Sequence, residues 1–156
     1  MAEEKFLSMC QGRDDNGAQI VVDRSGSCAI VILIVGEMCY SANVGDSRAI
    51  ISINGGQMVM PLSRDHKPSD ILEYNRIIKA GGQVYQTTTA QSIDNDQKKA
   101  AQKKSDDPEY IIGPIRVLPG RLSVSRTFGD PEAKLAYRGG NINVVKADPE
   151  IKQFQI

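Results

Sequence analysis

Short apolar runs alternate with turn residues between Ser25 and Leu62, and this is the strongest pattern in the chain. Cys28–Val35 is eight successive apolar residues, too few for a buried helix, and predicts a strand covered on both faces. The next predicted strands are Met38–Val44, Arg48–Ile53 and Gln57–Leu62. Asn54-Gly55-Gly56 is the clearest hairpin signal, because Asn and Gly tolerate the positive φ of primed turns. The stretch predicts a four-stranded antiparallel meander that forms the core sheet.

Helices are predicted on both sides of this meander. Ala2–Gln11 has apolar residues at helical spacing. A second helix is predicted to begin at Asp70 as N-cap, with Glu73 in a capping-box-like pair. It ends at Gly81-Gly82, where a left-handed residue is favoured. Its apolar face is predicted to contain Ile71, Leu72, Tyr74, Ile77 and Ile78.

Further strands and a short helix follow from the same signals. Asp130 as N-cap and Pro131 at the first position predict a helix to about Tyr137. The sequence ends in an alternating pattern at Glu150–Ile156, typical of an edge strand. Gln83–Thr88 and Leu122–Val124 are predicted strands, and Ala18–Val22 is either a short strand or an extended approach to the meander. Tyr110–Val117 is apolar but is interrupted by Gly113-Pro114.

Residues 89–108 differ from the rest of the chain in being polar and rich in Lys. Their low apolar content predicts a mobile surface insertion within a single domain that spans residues 1–156. Its lysines either bind an acidic partner or form a solvated loop, and the composition favours the loop. These lysines are Lys98, Lys99, Lys103 and Lys104.

Composition excludes several classes of protein. The chain has 156 residues with 19 acidic and 19 basic side chains, so its balanced charge argues against nucleic acid or an anionic membrane as partner. Its longest apolar run is about half of what a membrane-spanning helix needs, and Met1–Leu7 does not resemble a signal peptide. The three cysteines, Cys10, Cys28 and Cys39, favour free thiols in a reducing compartment. A cytoplasmic or nuclear location is predicted.

Carboxylates at turns and strand ends are the main candidates for chemistry. Asp23, Asp46, Asp65 and Asp130 could supply oxygen ligands to magnesium or manganese. Asp46 and Asp130 are better explained as turn and cap residues, whereas Asp65 is equally well explained as a metal ligand or as a loop anchor. The single histidine, His66, lies beside charged residues on a loop, which does not suit the partner of a Ser or Cys nucleophile in a hydrolase.

Three arginines, Arg116, Arg121 and Arg126, are close together in the sequence. Their planar guanidinium groups favour phosphate or carboxylate. The alternative is a structural pairing with Asp46 or Asp130 across the fold.

Five blocks in order resemble one family. They read SGSCA, ANVGDSRA, LSRDHKP, RIIKAGGQVY and GRLSVSRTFGD, and they span roughly residues 23–151. Together they resemble the central part of the metal-dependent protein serine/threonine phosphatases of type 2C. Their amino-acid sequence is similar to that of protist members.

The resemblance implies a fold and an activity. The fold class is α+β, an antiparallel β-sandwich flanked by helices, here incomplete. The activity is hydrolysis of phosphoserine and phosphothreonine, by a water activated on two magnesium or manganese ions. Asp65 matches the carboxylate that holds an additional metal in some members. Residues matching the structural motifs are Asp46, Ser47, Arg48, His66, Ser125, Arg126, Gly129 and Asp130.

The sequence also departs from the family pattern. The principal ligands of the family lie in Asp-Gly-His, Asp-Gly-x-x-Asp and terminal Asp-Asn blocks, and this sequence contains no Asp-Gly dipeptide. Either the chain is a fragment of a larger phosphatase, or it is a phosphatase-like scaffold that binds proteins in an assembly. In both cases we expect no turnover by the chain alone. We also expect association with itself, with a partner protein or with missing segments, because apolar faces would be left uncovered.

Overall fold

The computed structural model describes residues 2–90 and 110–156, and the fold of these residues is α+β with antiparallel strands dominating. The helices are α1 (Ala2–Met9), α2 (Ile71–Lys79) and α3 (Pro131–Lys134), with 3₁₀ turns at Asn54–Gly56 and Ala136–Arg138. The strands are β1 (Gln11–Arg13), β2 (Gln19–Val21), β3 (Gly26–Ser27), β4 (Ala29–Val35), β5 (Met38–Val44), β6 (Ile50–Ile53), β7 (Met58–Pro61), β8 (Gln83–Ala90), β9 (Tyr110–Leu118), β10 (Phe128–Gly129) and β11 (Glu150–Gln155).

The largest sheet has the strand order β11-β5-β4, all antiparallel. A tight turn at Gly36, with φ +58°, joins β4 to β5. The predicted four-stranded meander is nevertheless wrong, because β5 pairs with β4 on one edge and β11 on the other. With both edges of β5 occupied, β6 pairs only with β7, and the stretch forms two separate hairpins.

β4 is exposed, and the prediction of a strand covered on both faces is wrong. Five successive side chains, from Val31 to Val35, keep 41–61% of their surface accessible. Since successive strand residues point to opposite faces, this exposure involves both faces of the strand. An apolar sequence is compatible with a buried strand, but the strand is buried only where other helices or strands pack against it.

The β6–β7 hairpin and helix α2 have the local chemistry that the sequence predicts. Asn54, Gly55 and Gly56 all have positive φ in the turn. The Asp70 carboxylate accepts hydrogen bonds from the N–H groups of the first turn of α2. The N–H groups of Gly81 and Gly82 return to carbonyls of the last turn, and Gly81 has φ +83°. This is the Schellman arrangement.

The predicted apolar face of α2 is largely wrong. Only Ile77 of the five predicted residues is buried, and the other four are 41–66% exposed. The inward face instead carries Ile77 together with Glu73, which is 1% exposed. Glu73 therefore has no capping-box role. The buried cluster around Ile77 contains Val117, Ala133, Val144 and Val145.

The long β8–β9 hairpin carries the predicted insertion. Thr89 and Ala90 belong to β8, opposite Ile111 and Tyr110, so the predicted start of the insertion at residue 89 falls within the strand. Residues 91–109 lie outside the described part of the chain. The predicted strand Leu122–Val124 does not form, and Leu122 makes only a single bridge to Val117.

The C-terminal third supplies the edge strand of the main sheet. Asp130 has a left-handed conformation (φ 52°) and makes no side-chain cap, so the helix signal at Pro131 gives only the short α3 and a 3₁₀ turn to Arg138. β11 is an edge strand as predicted. None of the described helices has the length and apolar character needed to cross a membrane.

Candidate functional site

The predicted site residues fall into two groups, a surface cleft and a buried cluster. We define the surface cleft by Asp46, Arg48, Asp65, Lys67 and Ser69. It consists of two adjoining depressions of about 250 and 310 Å³ that share Lys67 and Ser69. The loop after β5 and the loop after β7 bring these side chains together, because the N–H of His66 donates to the carbonyl of Gly45 at 3.0 Å.

Asp65 is engaged by two cations in the surface cleft. Arg48 donates from Nε to one carboxylate oxygen at 3.0 Å and from Nη2 to the other at 2.8 Å. Lys67 Nζ lies 3.4 Å from the same carboxylate. The hydrogen bonds from Arg48 lower the pKa of Asp65 below its ordinary value. Asp65 is therefore an ionised carboxylate whose charge is already compensated.

Asp46 lies on the other side of Lys67, whose Nζ is 3.9 Å from the Asp46 carboxylate. The thiol of Cys28 donates to Asp46 Oδ1 at 3.6 Å. Burial, with the nearby carboxylates, raises the pKa of the Cys28 thiol. Asp46 and Asp65 thus share one lysine, which separates their charges.

The four predicted carboxylates do not form one site. Asp23 accepts the N–H of Ser25 at 2.8 Å and closes its own turn. Asp130 lies against Gly26, and burial raises its pKa. Of these four carboxylates, Asp46 and Asp65 line the surface cleft, whereas Asp23 and Asp130 do not.

The surface cleft does not fit a resident magnesium or manganese centre. In residues 2–90 and 110–156, no three His, Cys, Asp or Glu side chains come close enough to hold a metal ion. Magnesium takes six oxygen ligands and usually keeps several waters, and a two-metal site needs several carboxylates. Here the carboxylate of Asp65, the candidate metal ligand, already has Arg48 and Lys67 as its partners. No catalytic step can be derived through a metal from these residues.

The buried cluster is centred on Glu73 of α2. Its carboxylate accepts hydrogen bonds from Arg126 Nη2 at 2.5 Å, Ser125 Oγ at 2.7 Å and Arg76 Nη2 at 2.9 Å. Burial alone would raise the pKa of Glu73, but the hydrogen bonds from Arg126, Ser125 and Arg76 outweigh it and lower the pKa to about 2. Glu73 is therefore a fully ionised buried anion held by two guanidinium groups and a hydroxyl.

The arginines of this cluster connect distant parts of the chain. Arg76 Nη1 donates to the carbonyl of Val144 at 2.9 Å, and Arg126 Nη1 donates to that of Asp148 at 3.1 Å. Arg64 is paired with Asp70 and donates to Glu150 at 2.9 Å. The cluster thereby joins α2, the loop after β7, the segment before β10 and strand β11.

The arginine prediction is corrected by this arrangement. Arg126 pairs with Glu73, not with Asp46 or Asp130. Arg116 donates to the backbone carbonyl of Arg121 at 2.7 Å. The three arginines do not gather into one anion site in the described residues, because each has its own partner or lies on a different turn.

His66 is fully buried beside this cluster. Its Nδ1 accepts the N–H of Gly45 at 3.2 Å, and its carbonyl accepts both the N–H and the hydroxyl of Ser125, at 2.8 and 3.0 Å. Burial lowers the pKa of His66. His66 thus connects the loop after β5, through its imidazole, to the segment at Ser125, through its backbone carbonyl.

Sequence reasoning did not identify Glu73, Arg64 or Glu150 as members of a cluster. Glu73 contacts Ser125 and Arg126 from about 50 positions away, and Arg64 contacts Glu150 across 86 positions. The one available signal was Arg76, which is three residues after Glu73 on the same helix face.

Comparisons with known proteins agree with this scaffold. A sequence model of the family described as protein phosphatase 2C matches residues 2–156. The chain belongs to this family. The α+β class and the phosphatase-like fold, in partial form, are likewise confirmed.

Individual relatives show how much is shared. Protein phosphatase 2C homolog 3 of Schizosaccharomyces pombe is 48% identical over 138 residues, which is 88% of this chain and 26% of the relative. The probable protein phosphatase 2C 69 of Arabidopsis thaliana is 36% identical over 132 residues, 85% of this chain and 27% of the relative. The chain therefore spans about a quarter of the length of these relatives.

Among solved structures, the serine-threonine phosphatase 2C from Toxoplasma gondii aligns with a TM-score of 0.54. It covers 99% of this chain and 42% of that protein, at 17% identity. At that identity the match supports the fold alone.

Proposed function

We propose that this chain supplies scaffold of a type 2C protein serine/threonine phosphatase domain and does not hydrolyse phosphoprotein by itself. The observation that carries the proposal is the state of Asp65. Asp65 is the residue for which the family resemblance implies a metal-binding role, and Arg48 and Lys67 already compensate its charge. The absence of any Asp-Gly dipeptide from the sequence supports the same conclusion.

We propose that the scaffold contributes by holding helix α2 and the loops of the surface cleft in fixed positions. The buried cluster around Glu73 fixes α2 against the segments at Ser125 and Asp148, and His66 fixes the two loops of the surface cleft. A phosphatase needs such loops held rigidly, because catalytic groups act only when they are placed within a fraction of an ångström. The substrate class we propose for the whole domain is phosphoserine and phosphothreonine in proteins. Magnesium or manganese is the proposed cofactor, held by ligands outside the surface cleft.

The location that we propose is cytoplasmic or nuclear. All three cysteines are free, and Cys10 and Cys39 are buried. Free cysteines are typical of proteins in a reducing compartment.

The proposal is tested by phosphate release from a phosphothreonine peptide with Mn²⁺ or Mg²⁺. The 156-residue chain, shown to be folded by circular dichroism, is assayed beside its Asp65→Ala variant. We expect both to release phosphate at the rate of the metal-only blank. Metal-dependent turnover that disappears in Asp65→Ala would contradict the proposal, since it would mean that a working metal centre forms here.

A second candidate function is a phosphatase-like scaffold that binds proteins in an assembly. One observation favours it, the exposure of five successive apolar residues in β4. The two candidates are separated by a chimera in which the Asp-Gly-His and Asp-Gly-x-x-Asp segments of an active relative are fused to the two ends of the chain. A folded and active chimera supports the phosphatase scaffold. A folded but inactive chimera supports the binding module.

A further inference from the structure

Two buried polar atoms face each other beside the buried cluster without a hydrogen bond between them. Nε2 of His66 lies 3.8 Å from Oε2 of Glu150 in β11. This separation exceeds the roughly 2.7–3.2 Å of an N–H···O hydrogen bond. Within residues 2–90 and 110–156, neither atom has another hydrogen-bond partner. Since buried polar atoms are almost always paired with protein or with ordered water, the two atoms indicate a small polar ligand.

A third atom of the same kind belongs to Asn43. Asn43 lies opposite Glu150 in the pairing of β5 with β11, so the two side chains are on the same face of the sheet. The Nδ2 of Asn43 donates to the carbonyl of Gly45 at 3.0 Å and to that of Arg64 at 2.9 Å. These two bonds fix the orientation of the amide, and its Oδ1 has no hydrogen-bond partner in the described part of the chain. Asn43 therefore adds a buried acceptor next to Glu150.

The hydrogen bond at Nδ1 of His66 determines what the ring offers at Nε2. Nδ1 accepts the N–H of Gly45 at 3.2 Å, so it carries no proton. An imidazole that accepts at one nitrogen carries its proton on the other. His66 therefore presents an N–H donor at Nε2, opposite the acceptor of Glu150. A metal ion does not fit here, because a protonated ring nitrogen is not a metal ligand.

Glu150 is held away from His66 by its other contacts. Its Oε1 accepts from Arg64 Nε at 3.2 Å and from Arg64 Nη2 at 2.9 Å. The Nζ of Lys152 lies 3.6 Å from Oε2, which is also beyond hydrogen-bond distance. Because these two cations compensate the carboxylate, a further cation gains little here. A neutral ligand that can both accept and donate matches the three atoms.

We propose that a single water molecule binds at this position, accepting from Nε2 of His66 and donating to Oε2 of Glu150 and Oδ1 of Asn43. A buried water typically makes about three hydrogen bonds. Since 3.8 Å is less than twice an ordinary hydrogen-bond length of about 2.8 Å, the water lies beside the line from Nε2 to Oε2. The water joins the loop after β7, through His66, to strands β5 and β11.

The position of this water does not depend on what covers the surface of the scaffold. His66 is 0% and Asn43 is 1% exposed, and Oε2 of Glu150 is buried as well. A further segment of a longer domain, or a second chain, has no access to atoms that these residues already enclose. A water molecule is enclosed as the chain folds. The water site therefore goes beyond the proposed function and holds for either candidate function.

The test uses the single histidine of the chain, whose ring signals in NMR spectra can belong only to His66. The 156-residue chain is labelled with ¹⁵N-histidine at pH 7. A long-range ¹H–¹⁵N correlation identifies the protonated ring nitrogen, and we expect Nε2. NOE and ROE spectra selected on the water signal then detect water next to Hε2. We expect cross-peaks of opposite sign in the two spectra, because proton exchange would give the same sign in both.

Two variants identify the ligands of the water. Glu150→Met keeps an unbranched side chain and removes the acceptor, so we expect the cross-peak between Hε2 and water to be lost. Lys152→Met is the matched control, because Lys152 lies on the same face of β11 and near the same oxygen. It should leave the cross-peak unchanged.

Each result decides for or against the proposal. A cross-peak that is present in the natural chain and in Lys152→Met, and lost in Glu150→Met, supports it. A protected Hε2 proton without a cross-peak to water overturns it, since His66 would then bond directly to Glu150. A proton on Nδ1, an Hε2 that exchanges freely with solvent, or a cross-peak that survives Glu150→Met also overturns it. If Glu150→Met fails the circular dichroism check for folding, the cross-peak of the natural chain still decides.

Discussion

Replacing Glu73 with Gln removes the charge at the centre of the buried cluster and keeps the shape of the side chain. The variant leaves Arg76 and Arg126 without their shared carboxylate, at contacts of 2.9 and 2.5 Å. Glu73 is 1% exposed, so water does not replace the lost interaction. Breaking one side of a buried ion pair typically costs about 3–5 kcal/mol.

The pKa of Glu73 gives an independent magnitude. A pKa of about 2 in the folded protein, compared with an ordinary value of 4.5, means that folding favours the ionised form. One pKa unit is a tenfold change in the acid dissociation constant and corresponds to about 1.4 kcal/mol. The shift of Glu73 therefore contributes about 3 kcal/mol to the free energy of unfolding. The two arguments agree, and we expect Glu73→Gln to lower the free energy of unfolding at pH 7 by about 3 kcal/mol.

The pH dependence follows from the sign of the shift. Because the folded pKa lies below the unfolded one, the stabilisation is complete above about pH 4.5 and is lost as the pH falls towards 2. The difference in stability between the natural chain and Glu73→Gln should therefore shrink as the pH is lowered from 5 to 3. Urea unfolding followed by circular dichroism at pH 7, 5, 4 and 3 measures it.

The matched control is Glu132→Gln. Glu132 also accepts from an arginine, Arg138 at 3.2 Å, but its side chain is 40% exposed. A surface pair of this kind contributes less than about 1 kcal/mol. A loss below 1 kcal/mol in Glu73→Gln at pH 7, or a difference that stays constant down to pH 3, would refute the reasoning.

Three further substitutions test the local structure by thermal or urea unfolding. Gly45→Ala should cost more than about 2 kcal/mol, because Gly45 has φ +104° and a Cβ there would collide with the Sγ of Cys28; a melting temperature equal to that of the natural chain would contradict this. Asp70→Ala should cost about 1–2 kcal/mol by removing the N-cap of α2, and Asp70→Asn should recover most of the loss; equal stabilities of the two variants would argue against a capping role. Gly81→Ala should cost about 1 kcal/mol at φ +83°; a more stable variant would show that the left-handed turn is not required.

The local signals in the sequence were reliable because their causes are local. Asp70 accepts N–H groups two and three residues ahead, and Gly81 has the left-handed φ that ends the helix. Such features depend on a few neighbouring residues. The turn at Asn54 and the edge strand β11 could be predicted for the same reason.

Burial could not be predicted from the same patterns. The apolar run of β4 indicated a covered strand, yet its side chains are exposed. In α2 the apolar residues Ile71 and Tyr74 point outwards, whereas the charged Glu73 points inwards. Burial is decided by which elements lie alongside, and a periodic pattern does not contain that information.

The buried cluster around Glu73 could not be predicted from the sequence either, because its members are far apart in the chain. Glu73 obtains its low pKa from Ser125 and Arg126, which approach it only through the fold. Asp65 could be named as a candidate from the sequence, because it lies in a motif that resembles the family. Its neutralisation by Arg48, 17 positions earlier, was not visible in the motif.

The central claim, that these residues form a phosphatase scaffold without a working metal centre, is tested most directly by counting bound Mn²⁺. Electron paramagnetic resonance of free Mn²⁺, titrated with the folded 156-residue chain at pH 7, gives the number of ions bound per chain. We predict no stoichiometric site at micromolar concentrations of Mn²⁺, and the same titration curve for Asp65→Ala. Two ions bound per chain in that range, with loss of binding in Asp65→Ala, would contradict the claim.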